Sequence, residues 1–357
     1  MNKIQQFQTL LPADIDAAVI TSENNRNYFL GFAASNGTLV IEKNAAYFFT
    51  DARYITAAKQ EIQGAEVLAE SGRPLENLKR FFAQKNYRKA AFEAKHTSVE
   101  EYSAITAALE GVTLDFSGEI DRLLLHRLRR KKSAEEVAKI TAAQSITDAC
   151  FRHMCAFIRE GMSEKEIALE LDFYLLSHGA QALSFETIVA SGENSAKPHA
   201  VPGERRVRKG DFITMDFGAV VDFYHSDMTR TVALGEPSGE MVQVYNTVLF
   251  AQNCAIAAAK SGVPCADIDA AARNVIAQAG YGEYFGHGTG HGVGVEIHEQ
   301  PCFNTVSTDI FDTGDVVTVE PGIYLPGKFG VRIEDMIYNS GENVINLTKS
   351  EKKLIVL

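Results

Sequence analysis

Hydrophobic and polar positions follow two patterns along the chain, and the change falls near residue 125. Before it, short apolar runs bounded by polar turns are typical of β-strands. These runs lie at 17–20, 37–41, 46–50 and 89–93, with a helical pattern at 75–84. Because strands and helices intermingle in this way, we expect residues 1–125 to form one α/β domain.

From residue 130 the pattern predicts long helices in two pairs. Ser163 and Glu166 form the Ser-x-x-Glu pattern of a capping box, and Gly179 can end the helix that they open. The predicted helices run from Ser133 to about Arg159, from Ser163 to Gly179, from about Gly239 to Lys260 and from Asp267 to Gly280. The two corner glycines, Gly161 and Gly262, are 101 residues apart, which indicates a repeated unit.

A strand motif recurs at nearly the same offset. Gly-Asp-Phe-Ile-Thr-Met-Asp-Phe-Gly at 210–218 returns 104 residues later as Gly-Asp-Val-Val-Thr-Val-Glu-Pro-Gly at 314–322. The carboxylates inside the motifs, Asp216 and Glu320, are followed by Asp227 and Glu334. The Pro-Gly turn at 326–327 predicts a hairpin in the second copy. We expect both acid pairs to face each other across antiparallel hairpins, and the two repeats to bring these hairpins together about a pseudo-twofold axis.

Facing acids repel each other unless a cation lies between them. A histidine-rich segment, 285–294, has glycine at every second position from Gly286 to Gly294, which we interpret as close approach to a ligand. Four carboxylates and His291 suit manganese, cobalt, iron or zinc, and suit two ions better than one. Asp227 and Glu334 would bridge, Asp216 would bind one ion, and His291 with Glu320 would bind the other. The chemistry that this arrangement implies is hydrolysis.

Composition narrows the class of protein. The chain has 357 residues, which suggests about two domains, and a net charge of −11, which argues against a nucleic-acid surface. One basic cluster, 127–132, is predicted to be a solvated helix or linker. We find no apolar run long enough for a membrane span, no signal peptide and no paired cysteine motif, so we expect a cytoplasmic protein.

Several of these segments resemble the signature blocks of the pita-bread metallopeptidases, which include methionine aminopeptidase, aminopeptidase P and prolidase. The blocks lie at 215–218, 225–231, 287–294, 296–299, 319–322 and 331–335. Residues 25–32 and 50–54 look like the creatinase-type N-terminal domain of the proline-specific members. The resemblance implies an α+β fold, with a pita-bread catalytic domain at 130–357 after the N-terminal α/β domain.

The resemblance also assigns residues. Metal ligands would be Asp216, Asp227, His291, Glu320 and Glu334. His199 and His298 would position substrate and assist proton transfer, with Glu320 as a further catalytic group. His287, Arg332 and Tyr224 are additional candidates for substrate binding. Arg332 could instead orient a carboxylate ligand, and Tyr224 could instead pack on the helices.

The implied activity is cleavage of Xaa-Pro bonds with two divalent ions, manganese first among them. We favour an aminopeptidase P that removes the first residue of a proline-containing peptide, with prolidase, which splits the dipeptide, as the alternative. The N-terminal domain suggests a homodimer. Two rival hypotheses are a peptide-binding module without activity and a metal-free enzyme such as creatinase. The five ligand positions, all present, argue against both.

Overall fold

The computed structural model describes residues 1–357, apart from the side chain of Leu125. The chain forms two compact units, Met1–Arg129 and Arg130–Leu357, each with its own hydrophobic core. Within the described residues, no helix combines the length and apolar character needed to cross a membrane.

The first unit is built on one mixed six-stranded sheet. Its strands are β1 (Ala17–Ile20), β2 (Thr38–Glu42), β3 (Ala46–Thr50), β4 (Glu66–Ala69), β5 (Lys89–Phe92) and β6 (Thr113–Asp115), in the order β4-β3-β2-β1-β5-β6. The helices are α1 (Lys3–Leu10), α2 (Glu23–Leu30), α3 (Ile55–Glu61), α4 (Pro74–Lys85), α5 (Val99–Ala108) and α6 (Glu119–Arg122), followed by a π-helical segment, Leu123–Arg129. All four residues of the central strand β1 are buried, which explains its uninterrupted apolar sequence. The expected α/β fold of this region is confirmed.

Four long helices of the second unit form two pairs. They are α7 (Ala134–Phe157), α8 (Glu164–Ser177), α9 (Gly239–Ala258) and α10 (Cys265–Gln278), and each bound lies within two residues of the prediction. Ser133 and Ser163 both form capping boxes. In each, the serine hydroxyl accepts from the backbone N–H of the Glu three residues on, and the carboxylate of that Glu accepts from the serine N–H.

The strands of this unit are short. They are β7 (Ala182–Leu183), β8 (Ile188–Ser191), β9 (Asp211–Phe217), β10 (Ala219–Val221), β11 (Tyr224–His225), β12 (Met228–Leu234), β13 (Val263–Pro264), β14 (Gly290–Gly292), β15 (Glu299–Phe303), β16 (Ile310–Phe311), β17 (Val316–Val319), β18 (Gly322–Leu325), β19 (Phe329–Arg332), β20 (Asp335–Asn339) and β21 (Val344–Asn346). The main sheets have the orders β12-β9-β8 and β15-β14-β17-β20-β21.

Strand alternation turns the acids away from the helices. Met215 and Phe217 of β9 pack in a core with residues of α7 and α8, so Asp216, between them, projects from the opposite face. In the second copy Val317 and Val319 pack with α9 and α10. Glu320 follows directly, on the face opposite Val319. Burial of such side chains, at about 1.5–3 kcal/mol each, therefore fixes the direction of the carboxylates.

The predicted pairing of the acids is right for one hairpin and wrong for the other. Val319 pairs with Asp335 and Gly322 with Arg332, which places Glu320 across from Glu334. Asp216 instead pairs with Thr229, two residues beyond Asp227. The reason is the turn, whose two central residues, Asp222 and Phe223, both have positive φ (47° and 70°) and shift the hairpin centre by one residue. Asp216 and Asp227 are thus diagonal neighbours.

The two hairpins are joined by one backbone hydrogen bond and by one bond from a side-chain hydroxyl. The Glu334 N–H donates to Thr229 O at 3.1 Å, and the Thr231 hydroxyl donates to Arg332 O at 3.0 Å. All four repeat carboxylates therefore meet where the two repeats adjoin, as the pseudo-twofold arrangement predicts.

The basic cluster at 127–132 is not a solvated linker, so that prediction was wrong. Arg130 forms ion pairs with Asp315 (2.8 Å) and Asp309 (2.9 Å). Lys132 pairs with Glu299 at 2.9 Å, and both side chains are almost fully buried. Because an unpaired buried ion costs several kcal/mol, these partners, more than 160 residues away, decide the location of the cluster.

Candidate metal centre and active site

A cavity of about 600 Å³ lies in the second unit and is lined by residues of both repeats. Its volume falls in the range of small-molecule sites. The wall includes nine of the residues predicted from the sequence, namely His199, Asp216, Asp227, His287, His291, His298, Glu320, Arg332 and Glu334.

The five predicted ligands gather at one side of this cavity. Asp227, His291 and Glu334 each offer one ligand atom, and the three atoms lie within 4.8 Å of one another. His291 Nε2 is also 3.4 Å from Glu320 Oε1 and 3.5 Å from Asp227 Oδ2. The His291 Nδ1–H donates to Gly292 O at 3.1 Å, which directs the lone pair of Nε2 towards the carboxylates.

The charges of this cluster fit a divalent cation. Burial raises the pKa of Asp227 well above its usual range, and Asp216 and Glu320 raise it further. Burial, with repulsion from Asp227, does the same to the pKa of Glu334, and burial raises the pKa of Glu320 to about 8. Asp216 Oδ1 is buried and lacks a hydrogen-bond partner within the described part of the chain. A cation between these groups would relieve the repulsion and occupy that free oxygen.

The imidazole of His291 is suited to the same role. Burial lowers its pKa to about 4, with repulsion from His298 as a further cause. The ring is therefore neutral at pH 7, the form that binds metal.

A hydrogen-bonded chain leads away from Asp216. Arg332 Nη2 donates to Asp216 Oδ2 at 2.6 Å, and Nη1 donates to the Tyr324 hydroxyl at 2.9 Å. That hydroxyl lies 2.8 Å from His287 Nε2. Although burial disfavours a charged guanidinium, Tyr324 and Asp216 raise the pKa of Arg332. Of the two roles considered for Arg332, this geometry matches the orienting of a carboxylate ligand.

His199 and His298 face the cavity from different repeats. The His298 ring contacts the His291 ring, with centroids 4.4 Å apart. Burial and the nearby His199 lower the pKa of His298. A neutral imidazole in this position can accept a proton or, after protonation, stabilise negative charge.

Tyr224 does not join this group. It is buried, and its hydroxyl donates to Glu136 of α7 at 2.5 Å. The neighbouring His225 is held by its backbone N–H, which donates to Gly294 O at 2.9 Å. Tyr224 thus packs on a helix, which was the second of the two roles considered for it.

Sequence reasoning overlooked Tyr324. The signal was available, because Tyr324 lies at even spacing from Glu320 and so on the same face of the hairpin. Tyr324 reaches the site through Arg332 and His287, whereas Phe185 and Cys302 line the cavity directly.

Packing accounts for two glycines of the histidine-rich segment, and Gly288 and Gly290 also line the cavity. A Cβ on Gly290 would lie 1.9 Å from Thr318 O, and one on Gly294 would lie 2.4 Å from Glu299 Oε2. The glycines therefore allow neighbouring backbone and side chains of the same unit to approach.

Comparison with known proteins identifies two family models that match this chain. The model of metallopeptidase family M24 matches residues 138–339, and that of the creatinase/prolidase N-terminal domain matches residues 3–129.

Solved structures similar to this chain over its length include three proline-specific peptidases. They are an Xaa-Pro dipeptidase from Bacillus anthracis (40% identity, 99% of both chains, TM-score 0.94), an X-Pro aminopeptidase from Thermotoga maritima (36%, 99% of this chain and 100% of that chain, 0.91) and a prolidase from Pyrococcus horikoshii (32%, 99% of both chains, 0.90). The chain therefore belongs to metallopeptidase family M24, and it is a metallopeptidase of the pita-bread fold with a creatinase/prolidase N-terminal domain.

Proposed function

We propose that this protein is an Xaa-Pro dipeptidase, or prolidase. The observation that carries the proposal is its full-length similarity to the Bacillus anthracis dipeptidase, with 40% identity, in a chain whose five ligand residues line one cavity. The sequence favoured aminopeptidase P with prolidase as the alternative, and the comparisons support the alternative better. The Thermotoga maritima aminopeptidase, 36% identical, keeps Xaa-Pro aminopeptidase as the second candidate.

We further propose that two divalent ions bind here. Asp227 and Glu334 would bridge them, Asp216 would complete one site, and His291 with Glu320 would complete the other. The oxygen-rich donor set supports manganese as the resident metal. When bound, such ions lower the pKa of a coordinated water and polarise the scissile carbonyl.

The side chains that line the cavity can supply the proton transfers that cleavage of an Xaa-Pro bond requires. The nitrogen of an Xaa-Pro bond carries no hydrogen and must gain a proton as the bond breaks. Glu320, which projects into the cavity, accepts the proton of the attacking water and delivers it to that nitrogen. His199 and His298 stabilise the charge that develops on the carbonyl and hold the proline residue.

Substrate length tests the proposal. Protein loaded with Mn²⁺ is given Ala-Pro, Ala-Pro-Ala and Ala-Ala, and kcat/KM is measured for each. We expect Ala-Pro to be the best substrate. Faster cleavage of Ala-Pro-Ala would establish the aminopeptidase instead, and equal cleavage of Ala-Ala would contradict proline specificity.

We also propose a homodimer, which the creatinase-type N-terminal domain supports. Light scattering at working concentration would show a mass of twice 39.1 kDa. A monomer would contradict this proposal alone.

A further inference from the structure

An ion pair on α10, buried at its Asp269 end, contacts the histidine-rich segment. Asp269 has a side chain only 1% exposed, and it accepts from Arg273 Nε at 2.7 Å and from Nη2 at 2.9 Å. The proposed reaction uses neither residue. We call Asp269 and Arg273 the α10 pair.

The α10 pair holds the segment at three successive points. Asp269 Oδ1 accepts from the Thr289 N–H (3.1 Å) and from the Thr289 hydroxyl (2.8 Å). Arg273 donates to His287 O at 2.7 Å and to Phe285 O at 3.1 Å. Its guanidinium also lies over the Phe285 ring, 4.3 Å from the centroid.

Thr289 connects the α10 pair to the metal ligands of the second repeat. Its carbonyl accepts from the Glu320 N–H at 2.8 Å, and the residue is fully buried. His291, two residues on, donates from its N–H to the Thr318 hydroxyl at 3.0 Å, and that hydroxyl donates to Glu320 Oε1 at 3.3 Å. Thr289 thus lies between the α10 pair and the two ligands His291 and Glu320.

The other ligands are held differently. Asp216 is bound by Arg332, and Glu334 accepts from the Thr229 hydroxyl at 2.7 Å. Loss of the Thr289 hydroxyl should therefore lower the affinity for one ion more than for the other.

We propose that Asp269, Arg273 and Thr289 are positioning residues that set the affinity of the ion at His291 and Glu320 separately from the ion at Asp216. This inference rests on the proposed two-ion centre. Residues that orient metal ligands from behind typically contribute 10- to 100-fold in metal affinity.

The test is a titration of metal-depleted full-length protein with Mn²⁺ by calorimetry, and with Co²⁺ by visible absorption. Thr289→Val removes the hydroxyl donor at nearly constant volume. We expect one ion to bind about 10-fold or more weakly and the other to change by less than about twofold. Thr289→Ser should restore binding. Activity of the Val variant should return as Mn²⁺ is raised, because the defect is in affinity.

Two further variants guard against a folding defect. Thr50→Val is the matched control, since Thr50 is an equally buried threonine of the first unit whose hydroxyl donates one bond, at 3.0 Å to Asn36 O. It should bind both ions like the wild type. Arg273→Lys keeps the charge beside Asp269 but loses the two hydrogen bonds to the carbonyls of His287 and Phe285. It should lower the affinity for the same ion.

Three outcomes would overturn the inference. The first is unchanged affinity for both ions in Thr289→Val and Arg273→Lys. The second is an equal fall in affinity for both ions. The third is a wild type that binds only one ion, which would also contradict the two-ion centre. A wild type that binds two ions but fails to cleave Ala-Pro contradicts the proposed reaction alone, and the titration still decides the inference.

Discussion

Arg332 donates a 2.6 Å hydrogen bond to one oxygen of Asp216, while the other oxygen of Asp216 is buried without a partner in the described structure. The two side chains are 5% and 13% exposed, so solvent screens this pair little. The geometry leaves one oxygen of Asp216 free for a metal ion and fixes the direction in which it points.

Arg332→Met should therefore let the Asp216 carboxylate turn and should weaken metal binding at Asp216. We expect metal affinity to fall about 10-fold or more and kcat/KM about 100-fold. Arg332→Lys keeps a cation but cannot reach both Asp216 and Tyr324, and it should recover only part of the loss. Wild-type metal binding in the Met variant would contradict this account.

Asp227→Asn should release both ions together. Asp227 lies within 4.8 Å of both His291 and Glu334 at the centre of the cluster, and the amide removes its charge. Metal content after dialysis is the measurement. The control is Asp222→Asn in the same hairpin, because Asp222 is exposed and asparagine tolerates its positive φ. Full metal content and activity in Asp227→Asn would refute the assignment.

His298→Ala should separate binding from catalysis. The ring contacts His291 without being a predicted ligand, so we expect two ions to remain while kcat for Xaa-Pro substrates falls about 100-fold or more. Metal analysis and steady-state kinetics on one preparation check both parts. A rise in KM with unchanged kcat, or a loss of metal, would assign His298 a different role.

His287 should make the metal-free protein sensitive to acid. Burial lowers its pKa from 6.5 to about 4, and its ring is neutral, since Nδ1–H donates to Gly288 O and Nε2 accepts from Tyr324. The unfolded chain takes up this proton near pH 6.5 but the folded chain only near pH 4, so the free energy of unfolding falls as pH drops through this window.

Between pH 7 and pH 5 this group should cost the wild type about 2 kcal/mol. His287→Gln has no titrating ring at this position, so its free energy of unfolding should fall by about 2 kcal/mol less than that of the wild type. Guanidinium unfolding at the two pH values measures the difference. Equal losses in both proteins would show that the histidine titrates normally.

Gly290→Ala and Gly286→Ala form a matched pair in one segment. The first Cβ would lie 1.9 Å from the carbonyl of Thr318, whereas the second meets no atom within 4 Å. We expect Gly290→Ala to lose metal and to unfold more easily by roughly 1–3 kcal/mol, and Gly286→Ala to resemble the wild type. Thermal unfolding and metal content of the two variants decide the point.

The position of Asp216 and Glu320 in the cavity was predictable because the same strand motif occurs twice, and strand alternation places each carboxylate on one face. The pairing of Asp216 was missed because a turn with Asp222 and Phe223 at positive φ has no proline or glycine to mark it. The bonds of Lys132 with Glu299 and of Asp269 with Thr289 could not be predicted, since they join residues brought together only by tertiary packing.

The backbone hydrogen bond between Glu334 and Thr229 joins two repeats, neither of which holds the full set of predicted ligands. Asp216 and Asp227 come from one repeat, and His291, Glu320 and Glu334 from the other. Metal uptake would therefore report that both repeats have folded and docked, and bound ions would hold the two repeats together. At a free metal concentration 1,000 times the Kd, one ion adds about 4 kcal/mol to the stability of the docked state. Removal of metal should then make this protein more susceptible to proteolysis, in addition to abolishing its activity.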